Sequence, residues 1–238
     1  TCEQRSLIFA SVLRAFAIPV AIDNIPVWAD YSTMGHSWVS LVMNDGATYT
    51  VYENDTVAKR YNKIDASRFL KDNHDFNLTG CPSEIKSEKK VSKIYRTGYA
   101  RKSTDKKSIL FSNPFAEDVS DSYGLRGYIK VPIKEYCNVY LCTFLTGKNW
   151  IPVAKTSAHK GYAVFRNLGK DVVYLPVVIR EGKYCPLSTP ILLDSNNKIH
   201  YFPKASHNII TISVDRKYPL CSNMPDQWSK LISCVFEA

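Results

Sequence analysis

No stretch of this sequence holds 18 consecutive apolar residues, so no segment reads as a membrane-spanning helix. No signal-peptide pattern opens it. No CxxC pair and no Cys/His cluster has the spacing of a zinc site, and no motif asks for a bound group, so neither metal nor cofactor is expected. No repeat recurs at a fixed period. The basic runs "KSEKKVSK" (86–93) and "ARKSTDKK" (100–107) lack interleaved aromatics for base stacking, and neither fits a helix-turn-helix or zinc-finger pattern. They read as solvated surface or linker. Despite a net charge of +9, nucleic acid is therefore not expected as a partner.

What is present is ample material for a core. The 238 residues are 45% hydrophobic, enough for one large domain or two ordinary ones. Fifteen Tyr and ten Phe favour β-structure, because aromatic side chains suit half-buried pleated surfaces. Seven cysteines are an odd number, so at least one is unpaired or pairs outside the chain. Cys137 and Cys142 stand five apart in a strand-like run and so point to opposite faces, which argues against a bond between them.

Two kinds of patterning divide the chain. Residues 3–16 predict a helix whose apolar residues cover most of its circumference, hence a largely buried one. Pro19 forbids its continuation, and "VAID" reads as a strand. "HSWVSLVMNDGATYTVYEND" places two apolar-rich runs around Asn-Asp-Gly, a hairpin signal. "DASRFLKDN" (65–73) predicts a short helix capped by Asp65. From about residue 91 onward, short apolar runs are punctuated by Gly, Asn or Pro with no helix between them. They include "YGLRGYIKVPI", "NVYLCTFLTGKNWIPVAKT", "DVVYLPVVIREGKYCPLS" and "NIITISVD". This grammar predicts an antiparallel sandwich or barrel, joined to the first part by a linker within 84–108.

One constellation can carry chemistry. Cys2 stands at the first turn of the predicted helix, where the positive end of the dipole favours thiolate. His36 opens a predicted strand and supplies a base. With Asp45-Gly46 as a two-residue turn, paired positions sum to 91, so His36 faces Asp55 and Trp38 faces Glu53. Asp55 is then the geometric choice to orient the imidazole, and Glu53 the runner-up. A one-residue slip would set Asn54 opposite His36 instead. Taken singly, each of these residues also fits a structural role. Trp38 reads as packing beneath the site, and Trp28 as a wall of the cleft or a core residue. The aromatics Trp150, Tyr162 and Tyr184 are candidates for a stacking platform or for strand core.

The segments "C-x11-R-A-F-A-I-P-V", from Cys2 through Arg14 to Pro19, and "GHSWVSLV", with His36 and Trp38, resemble the transglutaminase-like superfamily, relatives of papain-type cysteine enzymes. "IPVWADYSTMGHSW" and the strand-rich second half are similar to a Bacteroidetes-type subgroup that carries a β-sandwich after the catalytic domain. The resemblance implies an α+β, papain-like core over 1–95 followed by an antiparallel β-sandwich over 96–238. It implies a Cys-His-Asp/Glu triad of Cys2, His36 and Asp55 or Glu53, with Trp28 and Trp38 near the substrate. The reaction it implies is hydrolysis or acyl transfer on a peptide, amide or glycopeptide, outside the cytoplasm. A catalytically inactive secreted module that binds glycan or peptide is the alternative. The chain departs from the pattern at Ala17, where Gly is usual.

Overall fold

Local sequence dictates both ends of the first helix. In the computed structural model, which describes residues 1–29, 35–44, 48–51, 63–65, 75–76, 87–88, 90–97, 115–144 and 150–202, α1 runs Cys2–Ala15. Thr1 caps it: the Gln4 amide donates to the Thr1 hydroxyl, and the Gln4 side chain reaches back, a capping box. At the far end the Ala17 amide donates to the Arg14 carbonyl at 2.9 Å, and the Ile18 amide to the Leu13 carbonyl at 3.0 Å. This is a Schellman motif, and Ile18 and Leu13 join the same apolar cluster. The motif needs a left-handed residue at position 17, and Ala17 adopts φ of 58°. Glycine suits that position because it has no Cβ to strain. Arg14 then donates through Nε and Nη2 to the Val20 carbonyl, at 3.2 and 3.1 Å, which fastens the helix end to the strand that follows.

Two groups of antiparallel strands make up the rest. β1 (Val20–Ile25) pairs with β2 (His36–Val42), β2 with β3 (Thr48–Val51), and β3 with β4 (Lys63–Asp65). β5 (Asp75–Phe76) and β6 (Ser87–Glu88) pair with each other. β7 (Tyr95–Thr97) lies on the other side of β1 and carries β8 (Ala116–Asp118), so the first sheet has the order β4-β3-β2-β1-β7-β8. After a 3₁₀ turn, η1 (Ser120–Tyr123), come β9 (Gly127–Pro132), β10 (Asn138–Phe144), β11 (Trp150–Ser157) and β12 (Tyr162–Leu168). β13 (Val172–Arg180), β14 (Lys183–Pro186), β15 (Ile191–Leu193) and β16 (Ile199–Tyr201) complete them. β9 pairs with β12, and a second sheet has the order β11-β10-β13-β15-β16, with β14 on β13. β9 alternates perfectly: Gly127, Ile129 and Val131 are buried, and Tyr128, Lys130 and Pro132 are exposed. Ile129, Val131 and Phe165 of this ribbon meet Val139, Leu141 and Leu193 of the larger sheet in one sandwich-like core. The described residues belong to one compact unit, Thr1–Phe202.

The α+β, papain-like core expected for the first part does not form. Among the described residues α1 is the one α-helix, and antiparallel sheet dominates throughout. The second expected helix starts at Asp65, but Asp65 closes β4 and pairs with Tyr49; residues 66–73 lie outside the described residues. Nor is α1 largely buried. Ser6 and Ala10 are, while Leu7, Ile8, Val12 and Phe16 are exposed, because the helix lies on the sheet along a single stripe. The Lys-rich stretch expected as solvated linker turns inward at Val91–Ile94, all buried. Lys93 is tolerated there because its ammonium reaches the Asp118 carboxylate and donates to the Arg166 carbonyl at 2.8 Å. The predicted strand "NIITISVD" lies outside the described residues. No helix among the described residues is long and apolar enough to cross a membrane.

Two stability predictions follow from this framework. Ala17→Gly relieves the left-handed alanine and is expected to stabilise the fold by roughly 0.5–1 kcal/mol in a urea titration, net of the entropy glycine adds to the unfolded chain. Burial, first of all, holds the phenols of Tyr123 and Tyr174 well above the ordinary value of 10.0. The folded state therefore keeps protons that the unfolded state releases above that value. Stability should be flat in this respect below about pH 10 and fall above it by about 1.4 kcal/mol per pH unit for each of the two tyrosines. Replacing either with Phe should remove its share of the slope, read by thermal melts between neutral and alkaline pH.

Candidate functional site

The pleat of β1 and β2 sorts the candidate residues onto two faces. Val20, Ile22 and Val39 face α1 and pack with Ala10. Ile25 and Trp38 belong to the opposite face, packed with Trp28, Val91, Ile94, Val119 and Tyr123. The register puts Asp23 beside Trp38 and Ile25 beside His36, so His36, Trp38 and Ser40 share the face turned away from the helix.

A buried polar network stands behind that face. Asp23 is completely buried in the middle of β1. Arg96, its cross-strand neighbour on β7, grips it bidentately: Nε donates to Oδ1 and Nη2 to Oδ2, both at 2.7 Å. Nη2 also donates to the Thr48 hydroxyl at 3.1 Å. Burial disfavours the charged guanidinium, but the hydrogen bond and charge of Asp23 outweigh it and raise the Arg96 pKa. The Tyr123 hydroxyl, from η1, donates to Asp23 Oδ2. Its oxygen accepts from Trp38 Nε1 at 2.8 Å and shares a 2.9 Å hydrogen bond with Ser40, for which Ser40 is the remaining donor.

His36 is the next step outward. Its ring stacks near-parallel on two indoles, with Trp38 at 5.8 Å and 27° and Trp28 at 6.2 Å and 22° between ring planes. Both tryptophans are buried. Cys2 occupies the first position of α1, directly after the Thr1 cap, and is partly exposed. Cys2 and His36 line one cleft of about 600 Å³, together with Glu3, Ile22, Asn24 and Ser37. Ile22, Asn24 and Ser37 are on the helix side of the pleat and His36 is on the other, so the cleft wraps the end of β1 and β2. Gly35 closes it. A Cβ there would stand 2.3 Å from the Ile25 carbonyl oxygen and 2.6 Å from that of Pro26, so only glycine lets the chain enter β2 at this point.

The hairpin register differs from the expected one. Ser40 pairs with Thr50, Leu41 with Tyr49 and Val42 with Thr48, so paired positions sum to 90 rather than 91. Asn-Asp-Gly is compatible with loops of two or three residues, and the observed pairing is the one-residue slip. The arithmetic that set Asp55 opposite His36 and Glu53 opposite Trp38 therefore does not hold. Glu53 and Asp55 themselves lie outside the described residues.

Other candidate groups are elsewhere. His200 Nε2 pairs with Asp194 Oδ2 at 2.8 Å across the β15–β16 turn, a partner not foreseen from sequence. Asp194 also accepts the Asn196 and Lys198 amides, so it serves the turn. Cys137 and Cys142 do not bond each other, as their spacing implies, and both are free thiols. Among the described residues no three of His, Cys, Asp and Glu converge as metal ligands would. Sequence reasoning missed Asp23, Arg96 and Tyr123. One signal was available: an acid inside the mostly apolar "VAIDNI" demands a buried cation. No protein family, curated protein or solved structure matches the chain.

Gly35→Ala tests the geometry of the cleft entrance. The added methyl must displace backbone rather than a side chain, and a loss of about 1–3 kcal/mol is expected in chemical denaturation. An unchanged denaturation midpoint would mean that β2 enters the sheet differently.

Proposed function

We propose that the chain is a thiol-dependent hydrolase or acyltransferase acting on peptide, amide or glycopeptide substrates, with Cys2 as nucleophile and His36 as base. The observation that carries this reading is that the first residue of α1 and the first residue of β2 open into the same cleft. The start of α1 also offers backbone amides, those of Cys2 and Glu3, that would hold an oxyanion formed beside the thiol. Cys2 would attack the carbonyl and form a thioester; His36 would take the thiol proton and return it to the leaving amine. Water as acceptor completes hydrolysis, and an amine completes transfer. The third member of such a triad is sought between Glu53 and Asp55. The support comes from this local constellation and from the Cys-helix and His-Trp motifs, not from a papain-like architecture.

Thiol reactivity supplies the test. With iodoacetamide near neutral pH, mapped by peptide mass, Cys2 should be labelled first. Cys142 should resist, because burial pushes its thiol up to about 12. His36→Asn should slow labelling of Cys2 by about tenfold or more, and Cys2→Ala should abolish release of amine from glutamine-containing peptides or glycopeptides. Slow labelling of Cys2 that does not depend on His36 would instead favour an inactive glycan- or peptide-binding module. Tyr162 and Tyr184, exposed on the sandwich strands, would be its first candidates for contact.

A further inference from the structure

We infer that Tyr123 is a positioning residue for His36, acting through Trp38. The inference rests on the reading of His36 as the base of the cleft, and it assigns a function to a hydroxyl that the reading does not use.

The argument is one of saturation. A phenol oxygen has one proton to give and two lone pairs to fill. Tyr123 gives its proton to Asp23 and accepts from Trp38 Nε1 and Ser40, so every position is used. Asp23 is in turn fixed by the two-pronged grip of Arg96. Trp38 therefore cannot turn without leaving a buried indole N–H unsatisfied. The same indole stacks near-parallel on the His36 ring, as Trp28 does, with centroids 5.8 and 6.2 Å from the imidazole. An imidazole in contact with two buried, near-parallel planes takes its orientation from them, so a shift of Trp38 passes to the ring. The Tyr123 ring meets Trp38 edge-on at 5.5 Å and 81°, so the contact has an apolar part as well as the hydrogen bond. The chain of constraint runs from β7 through β1 and η1 to β2, and its last member faces the cleft. The ionisable groups lining the described cleft beside His36 are Cys2 and Glu3; behind Trp38 stand Tyr123, Asp23 and Arg96.

Tyr123→Phe keeps the ring and removes the hydroxyl. Two readouts apply to the full chain: the NMR titration of the His36 imidazole, and the rate–pH profile of carbamidomethylation at Cys2. The variant should shift the imidazole midpoint by about half a pH unit or more and slow Cys2 by about tenfold. Tyr174→Phe is the control. It removes an equally buried hydroxyl, one that contacts the Gly169 carbonyl at 3.0 Å and the Ser92 carbonyl at 3.4 Å rather than the Trp38 indole, and should move neither readout. Should Tyr123→Phe fail to fold, Ser40→Ala removes one of the two donors that hold the Tyr123 hydroxyl while leaving the Trp38 ring in place, and should give a smaller shift in the same direction. The inference is overturned if Tyr123→Phe leaves both readouts unmoved, or if Tyr174→Phe moves them equally. Failure of the thiol–imidazole reading looks different: labelling of Cys2 would then be indifferent to His36→Asn, while the imidazole titration would still decide whether Tyr123 positions the ring.

Discussion

A carboxylate with no exposure at all, Asp23, sits in the central strand of the first sheet, and the sheet is arranged to satisfy it. An isolated buried charge costs several kcal/mol, so a chain that places one in β1 must bring a cation and further donors to the same point. Arg96 comes from β7, the Tyr123 hydroxyl from η1, and Thr48 joins from β3 through the guanidinium. Four elements distant in sequence are thereby held to one register. Slipping β7 by a single residue would turn the guanidinium to the helix side, among Val20, Ile22 and Val39, and leave Asp23 alone. The pair thus acts chiefly as a specification of pairing. Replacing it by well-packed apolar side chains need not cost stability; removing one member alone must.

A second set of polar contacts ties the same segment to the sandwich strands. Lys93 reaches Asp118 and the Arg166 carbonyl, and the Tyr95 hydroxyl donates to the Val153 carbonyl at 2.6 Å. The Gly169 amide donates to the Ser92 carbonyl, and a Cβ on Gly169 would fall 1.6 Å from the Val91 carbonyl oxygen. Residues 91–97 are therefore a seam. On one side they complete the sheet that carries β2, and on the other they fit against β11 and β12. This explains how Lys93 is buried: its ammonium is met by Asp118 from β8 and by the Arg166 carbonyl from β12, although the buried Ser92 hydroxyl finds no such partner.

Local features of this fold were legible in the sequence and distant ones were not. The ends of α1, the strand "VAID", the β2–β3 hairpin and the alternation of β9 depend on neighbours a few residues away. Capping, proline and period-two patterning report such neighbours directly. The burial of α1 failed because counting apolar residues does not say which stripe the sheet will cover; Ile8 and Phe16 are apolar and exposed. The hairpin register failed because the turn residues admit two loop lengths. Asp23 signalled the need for a buried cation, but its partners Arg96 and Tyr123 were not legible because they stand 73 and 100 positions away and each alone resembles an ordinary surface residue. Cys2, His36, Trp28 and Trp38 were singled out because short motifs carry them. What the motifs did not convey is that both indoles are buried core residues that also stack on the imidazole.

The pleat imposes a last constraint on the site. Strand residues alternate, so Ser37 faces α1 while His36 and Trp38 face away from it. A thiol on α1 and an imidazole on the opposite face of β2 have no path to each other through the middle of the sheet. They can share a cavity only where the strand ends, and His36 is the first residue of β2. Gly35 makes that end sharp by letting the backbone approach Ile25 and Pro26, and Cys2 is likewise the first residue of its helix. The joint cleft exists because both groups stand at the limits of their elements. Lengthening β2 backward by even one paired residue would enclose His36 within the sheet and separate it from Cys2, whatever the intrinsic reactivity of either group.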